Sequence, residues 1–355
     1  MERPGTDGTL APVWRGLRLL RSGRAEGGRL RPVSGSFPSV RPPGGGGADL
    51  PGGRLPADRA SGGLRIPLGG RPAVIPAGRA PGDAGLKRWS AVPDAAGIKV
   101  LAYHWVDPEP GQKLRQWGVT PAAFEAQMTA LAEGAYQVLS LEEVLQVVHG
   151  ERPSSPKAVA LTFDDGYRSL LDHALPVLER FGFRATFFLV SDRVGGTNAW
   201  DARHGDAPRS LMSWDEAAGL LARGMEIGAH SRTHPFLPDL PERELEDEIR
   251  RSKETIEDRL GCSVRFFSYP HGLIVERCRH SVMAAGYAGA CSSQPGRNEP
   301  GTDPFVLRRT EITCHDTVRS FAFKVRTGFG VRKWAGTRIR DWFSRRSPVA
   351  REVSL

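Results

Sequence analysis

From about residue 96 onward, short apolar runs alternate with stretches of helical periodicity, and that alternation restricts the chain to a parallel α/β architecture. Residues 98–103, 136–139, 158–163, 185–190, 225–229, 266–269 and 287–291 read as strands. The run 185–190 is continuously apolar, as a parallel strand covered on both faces should be. A helix over 121–131 is opened by Thr120 with a Pro in its first turn. Ser140-x-x-Glu143 and Ser213-x-x-Glu216 are capping boxes, and Gly224 ends the second of those helices. A helix over 172–180 has its first turns disturbed by Pro176. The longest helix, 241–260, carries one apolar stripe of Leu245, Ile249, Ile256 and Leu260. Its other side, with the pairs Glu246–Arg250 and Asp247–Arg251, reads as a solvated face.

Two strand ends carry chemistry. Thr162-Phe163-Asp164-Asp165-Gly166-Tyr167 places adjacent carboxylates after an apolar run, and His230-Ser231-Arg232-Thr233-His234 follows 66 residues later. In parallel α/β folds, sites are built at the carboxyl ends of strands. One Asp and two His form a mixed ligand set suited to Zn2+, with Co2+ or Ni2+ as alternatives. Three protein ligands leave a position open for water, and a surplus carboxylate can take that water's proton. Gly166 permits the turn that brings both acids to one point. Alone, either motif would read as a solvated turn or a polar helix face; together they point to a metal centre.

These two motifs, with Phe267-Ser268-Tyr269-Pro270-His271-Gly272 and the opening run Leu101-Ala102-Tyr103-His104, resemble the polysaccharide deacetylase family (the NodB-homology domain, carbohydrate esterase family 4) over roughly residues 97–330. The resemblance implies a distorted (β/α) barrel of about seven parallel strands and a metal-dependent deacetylase acting on a sugar. Carried over by motif, Asp164 is the general base, and Asp165, His230 and His234 are the metal ligands. The backbone N–H of His271 is an oxyanion donor, while Tyr269 and Pro270 form the groove wall. Many members place an Arg two residues before the motif Pro to orient the base; this chain has Ser268 there, and Arg308 and Arg309 are the alternatives. The proton donor for the leaving amine stays open between His315 and His104. Residues 191–209 form a long loop over the site, from which Trp200 either stacks on a sugar ring or anchors the loop.

Charge sits outside the catalytic stretch. Residues 1–95 hold 15 Lys and Arg against 7 Asp and Glu, and residues 319–346 hold 9 against 1, in a chain whose net charge is +9. No nucleic-acid motif accompanies either block, so nucleic acid is not an expected partner. About a third of residues 1–95 is Gly or Pro, a composition that reads as a disordered extension. It also fits a leader translated ahead of a start near Lys99. The expected organisation is that extension over 1–95, a catalytic domain over 96–330 and a basic tail over 331–355. The aromatic and cationic residues of 321–343 read as a final barrel helix with a frayed basic end, or as a peripheral contact with anionic membrane. No run reaches the ~18 apolar residues of a span, and no signal peptide is evident, so the expected location is cytoplasmic or peripheral to the membrane. The four Cys show no Cys-x-x-Cys spacing and read as buried thiols.

The expected function is removal of acetyl groups from an N-acetylated glycan of the cell envelope or its precursor. Two rivals are a different non-peptide amide hydrolase on the same centre, and a glycan-binding pseudoenzyme, the latter motivated by Ser268 and the incomplete final His motif.

Overall fold

The computed structural model describes residues 94–330, with 95, 110 and 112 excepted. Apart from Asp94, the expected N-terminal extension lies outside the described residues, as does the tail over 331–355 with its membrane contact. The strands are β1 (Lys99–Tyr103), β2 (Trp105–Val106), β3 (Gly118–Val119), β4 (Gln137–Leu139), β5 (Ala158–Phe163), β6 (Thr186–Leu189), β7 (Glu226–Ala229), β8 (Phe266–Ser268), β9 (Gly289–Cys291) and β10 (Arg309–Glu311). The helices are α1 (Pro121–Glu133), α2 (Leu141–Val148), α3 (Ser169–His173), α4 (Leu175–Phe181), α5 (Trp214–Ala222), α6 (Glu242–Leu260), α7 (Glu276–Ala284) and α8 (Val318–Thr327).

The main sheet runs β10-β1-β5-β6-β7-β8-β9, and every pairing is parallel. One edge of β5 pairs with β1; the other is shared, with β4 at its start and β6 at Thr162 and Phe163. Beyond β9, the Ser292 N–H donates to the Leu307 carbonyl and the Leu307 N–H to the Ala290 carbonyl, both at 2.8 Å. This link, just ahead of β10, nearly closes the seven strands into a barrel, as expected. β2 and β3 form a separate small pair.

Strand alternation sorts the core. Val100, Ala160, Phe188, Phe266 and Cys291 form one buried cluster with Leu141, Val144, Leu145 and Val148 of α2. This helix closes the barrel at the strands' amino ends. The intervening residues Leu101, Leu161, Phe187 and Phe267 face the surrounding helices, in one cluster with Phe124, Ile249 and Phe321. Gly228 is required by this packing, because a Cβ there would lie 2.4 Å from the Phe188 ring.

Both capping boxes form, with Ser140 and Ser213 each exchanging bonds with the Glu three residues on. The helix expected over 172–180 is instead two, beginning at Ser169 and broken at Ala174. Pro176 has no N–H to give to the Asp172 carbonyl, so one continuous helix cannot form there. The final helix is α8, with Phe321 and Val325 buried. On α6 the Asp247–Arg251 pair forms, but Arg250 pairs with Glu254 and not with Glu246. Cys278 and Cys291 are buried, Cys262 and Cys314 only partly so.

Candidate active site

Two loops meet at the carboxyl end of the barrel. The residues after β5 turn sharply: Asp165 has φ 72° and Gly166 φ 73°, and a Cβ on Gly166 would sit 2.8 Å from Leu189. A non-glycine residue in the left-handed region is held there by its surroundings. The turn sends Asp164 towards the barrel axis and Asp165 towards the loop after β7. In that second loop Ser231 (φ 61°) and His234 (φ 66°) are also left-handed, and the Ser231 Oγ accepts from the His234 N–H at 3.0 Å.

Asp165, His230 and His234 converge, with ligand atoms all within 4.8 Å of one another and all three residues buried. Each imidazole Nε2 lies 3.4 Å from the Asp165 Oδ1. The His230 Nδ1 is 2.7 Å from the Ser268 carbonyl oxygen, which can only accept, so Nδ1 carries the proton and Nε2 presents a lone pair. A lone pair therefore faces an Asp165 oxygen that is buried without a hydrogen-bond partner. A shared cation satisfies both sides. The donor set of one carboxylate oxygen and two imidazole nitrogens fits zinc-like divalent ions.

The two adjacent carboxylates are driven apart electrostatically. For Asp164, burial favours the neutral acid, but the Arg309 guanidinium reverses this and holds the carboxyl well below the usual range. Arg309 forks onto both Asp164 oxygens at 2.7 Å, donates to the Ser268 Oγ at 2.9 Å, and reaches the Ser292 carbonyl through Nε at 3.0 Å. Burial, then the charges of Asp164 and Asp201, push Asp165 well above the usual range. Burial also lowers both imidazoles, His230 to about 4 and His234 well below its ordinary value. The pocket thus holds one stable carboxylate beside a ligand set whose charged state needs a cation.

Of the two arginines left open by the sequence, Arg309 contacts Asp164. It begins β10, beside Val100 of β1, and is 1% exposed. Ser268, standing where the resemblance places an Arg, fits between Arg309 and Asp164. Arg265 pairs with Glu142 at the surface.

His104 follows β1, and its Nδ1 is buried without a hydrogen-bond partner. Burial lowers its pKa, opposed by the nearby charge of Asp164. His315 is exposed on the turn ahead of α8. His271 is left-handed (φ 59°), and its ring packs edge-on to His234 with centroids 4.7 Å apart. Trp200 stacks on His234 at 4.7 Å and 25°, so one indole face is committed to that imidazole. The groove-wall expectation for Tyr269 and Pro270 is corrected. Tyr269 is 0% exposed with its hydroxyl donating to the Phe305 carbonyl at 3.1 Å, and Pro270 is buried beside it. The chain leaving β8 stays in contact with β9, which turns both side chains inward.

One residue escaped the sequence reading. Glu248 of α6, 8% exposed, accepts from the Arg232 and Thr233 N–H groups at 2.9 Å and from the Thr233 hydroxyl at 2.7 Å. Arg232 itself pairs with Asp192 and Asp247. Glu248, buried on α6 with Leu245, Ile249 and Ser252, therefore braces the loop that carries His230 and His234.

Residues 151–290 match the family model described as polysaccharide deacetylase. The chain is similar to YxkH of Bacillus subtilis, a protein named for the same family, at 25% identity over 225 residues, 63% of this chain and 75% of that one. It is 31% identical over 139 residues to the Escherichia coli K12 poly-β-1,6-N-acetyl-D-glucosamine N-deacetylase, covering 38% of this chain and only 20% of that protein. The solved structure of IcaB from Ammonifex degensii superposes with a TM-score of 0.57 at 24% identity, over 65% of this chain and 96% of that one, which shows the shared fold.

Proposed function

We propose that this chain, carrying a polysaccharide deacetylase domain, is a cation-dependent N-deacetylase of an N-acetylglucosamine polymer of the cell envelope or its precursor. The observation that carries the reading is the opposed pair: Asp164 held ionised by Arg309, next to an Asp165 oxygen that faces the His230 lone pair and lies 3.4 Å from the His234 Nε2. Support for the substrate class comes from the E. coli relative's name. Because the chain spans a fifth of that relative, the glycan is the finer part of the proposal.

Asp165, His230 and His234 would hold the cation, with Zn2+ favoured by the donor set and Co2+ or Ni2+ as alternatives. When bound, it supplies Lewis acidity at an open coordination position. Asp164 takes the proton of the attacking water; its ionisation at neutral pH is secured by Arg309, so the base is ready without prior deprotonation. The His271 N–H is assigned to the developing oxyanion. For the leaving amine we assign His104, whose buried Nδ1 lacks a partner; His315 is exposed on its turn. The pseudoenzyme rival loses one of its two motives, since Arg309 fills the role that Ser268 left vacant.

Asp164→Asn tests the assignment. Acetate release from β-1,6-linked N-acetylglucosamine oligomers should fall by about 10³-fold, within the range for loss of a general base, with bound zinc retained. Wild type that holds zinc but releases no acetate from any N-acetylated glycan would return the case to the pseudoenzyme.

A further inference from the structure

Apart from the metal-centre residues, the described residues enclose a polar cavity of about 620 Å³ where the 191–209 loop returns to the sheet. That volume falls inside the ~300–1,000 Å³ typical of ligand pockets. Three segments line it: the one after β2, with Asp107 and Glu109; α3 and the residue before it, with His173 and Arg168; and the loop's return, with Asp206 and Arg209. We infer that this cavity is a saccharide subsite, holding N-acetylhexosamine units that flank the one being deacetylated; the inference rests on the deacetylase reading above.

Position supports it. Arg168 lies three residues past Asp165, which limits their Cα separation to roughly 11 Å. The Arg168 N–H donates to the Ser210 carbonyl at 3.0 Å, tying the turn that carries the catalytic carboxylates to the cavity wall. The 3-10 helix Ala199–His204 spans the interval: Trp200 stacks on His234, and Gly205, just past the helix, lines the cavity. Asn198 joins the two sites again. Its Oδ1 accepts from the Arg209 N–H at 2.6 Å, and its Nδ2 donates to the Tyr167 hydroxyl at 3.3 Å; that hydroxyl bonds Asp165. A chain whose reacting unit sits at Asp165 has this cavity as its neighbour.

Lining chemistry selects the ligand class. Ala207 and Pro208 are its apolar members, which excludes a lipid or an aromatic guest. Both arginines are already engaged, Arg209 with Asp107 at 3.0 Å and Arg168 with Asp172 at 2.9 Å and Glu216 at 3.0 Å, so a polyanion finds no unpaired cation in them. The carboxylates do not form a three-ligand metal group; among the described residues only Asp165, His230 and His234 do. What is left is planar acceptors and donors side by side, the set that bonds vicinal hydroxyls and acetamide groups. The Glu109 carboxylate, exposed at the rim, and the half-buried His173 ring carry no hydrogen bond or ion pair with described residues and are available to a sugar.

Substrate length reads the subsite. Acetate release is measured on β-1,6-linked N-acetylglucosamine oligomers of increasing length for wild type, for Glu109→Ala combined with His173→Ala, and for Ala207→Trp, which fills the cavity without removing a bond. Wild-type kcat/KM should rise with length, and both variants should flatten that rise by about tenfold, as loss of one or two hydrogen bonds produces, through KM and not kcat. Calorimetric titration of the pentamer into Asp164→Asn protein reads the cavity without turnover. Binding that weakens about tenfold on adding Ala207→Trp supports the subsite even if wild type were to release no acetate. Acetate release with one length profile in wild type and both variants, or pentamer binding that Ala207→Trp leaves unaltered, overturns the subsite while the deacetylase reading stands. Failure of the pentamer to bind at all also overturns it.

Discussion

At the amino ends of the strands, Leu141, Val144, Leu145 and Val148 of α2 meet Ile98 and Ala158 in an apolar layer. At the carboxyl ends β5 and β7 deliver Asp164, Asp165 and His230 into a pocket that the Arg309 side chain reaches from the start of β10, and all four are nearly sealed from solvent. Backbone conformation divides the same way. Among the described residues, five other than glycine are left-handed, and four of them (Asp165, Ser231, His234 and His271) are at the site. Each costs of order 1–3 kcal/mol, and the loop that carries Ser231 and His234 is held from outside by Ser191 and Glu248. One end of the barrel supplies stability, and the other uses it to keep charges and strained backbone in fixed positions.

The largest effect should come from the link between the two, Arg309. Replacing it with Met leaves Asp164 buried and unpaired, which should destabilise the fold by about 3–5 kcal/mol. Acetate release from the folded fraction should drop about 10²-fold or more as the base loses its ionised state. Chemical denaturation followed by activity at matched folded fraction separates the two losses. An Arg309→Met protein as stable and as active as wild type would mean the guanidinium is not what holds Asp164.

Leu145→Ala probes the amino end alone. The side chain is 3% exposed and packs so tightly that a Cβ on Gly289 would lie 3.1 Å from it. Truncation should cost about 2–5 kcal/mol and lower the denaturation midpoint. Zinc affinity should stay at the wild-type value. A parallel loss of zinc binding would show that the two ends are not energetically separate.

What the sequence made legible was local. Strand runs, capping boxes and the two motifs depend on spacing within a few residues, and the barrel and the ligand triad followed from them. The partner of Asp164 did not, because Arg309 and Asp164 are 145 residues apart and meet only when β10 pairs with β1. Tyr269 and Pro270 were placed on the wrong face because a motif shows that a turn occurs and not which way its side chains go. Trp200 was left between two roles, and the stacking on His234 shows one face engaged with the loop it covers. Glu248 was invisible for a different reason: on a helix already rich in i,i+4 charge pairs, one more carboxylate looks solvated.

Glu248 therefore gives the smallest but sharpest test of the comparison. It stands outside the Asp165, His230 and His234 group; it fixes the backbone between the two histidines, accepting from Arg232 and Thr233 while Ser231 and His234 are held left-handed. Glu248→Ala should weaken zinc binding by about 10–100-fold, the usual cost of losing such support, in a titration of metal-free protein. Glu248→Gln keeps an amide oxygen for the two N–H groups but can offer the Thr233 hydroxyl no second acceptor, so its loss should fall between wild type and Ala. If Glu248→Ala lowers stability as Leu145→Ala does while zinc affinity holds, α6 is only a packing helix and the brace reading fails. A graded loss of affinity across Gln and Ala is something packing alone would not produce, because both substitutions leave the apolar stripe of Leu245, Ile249 and Ile256 intact.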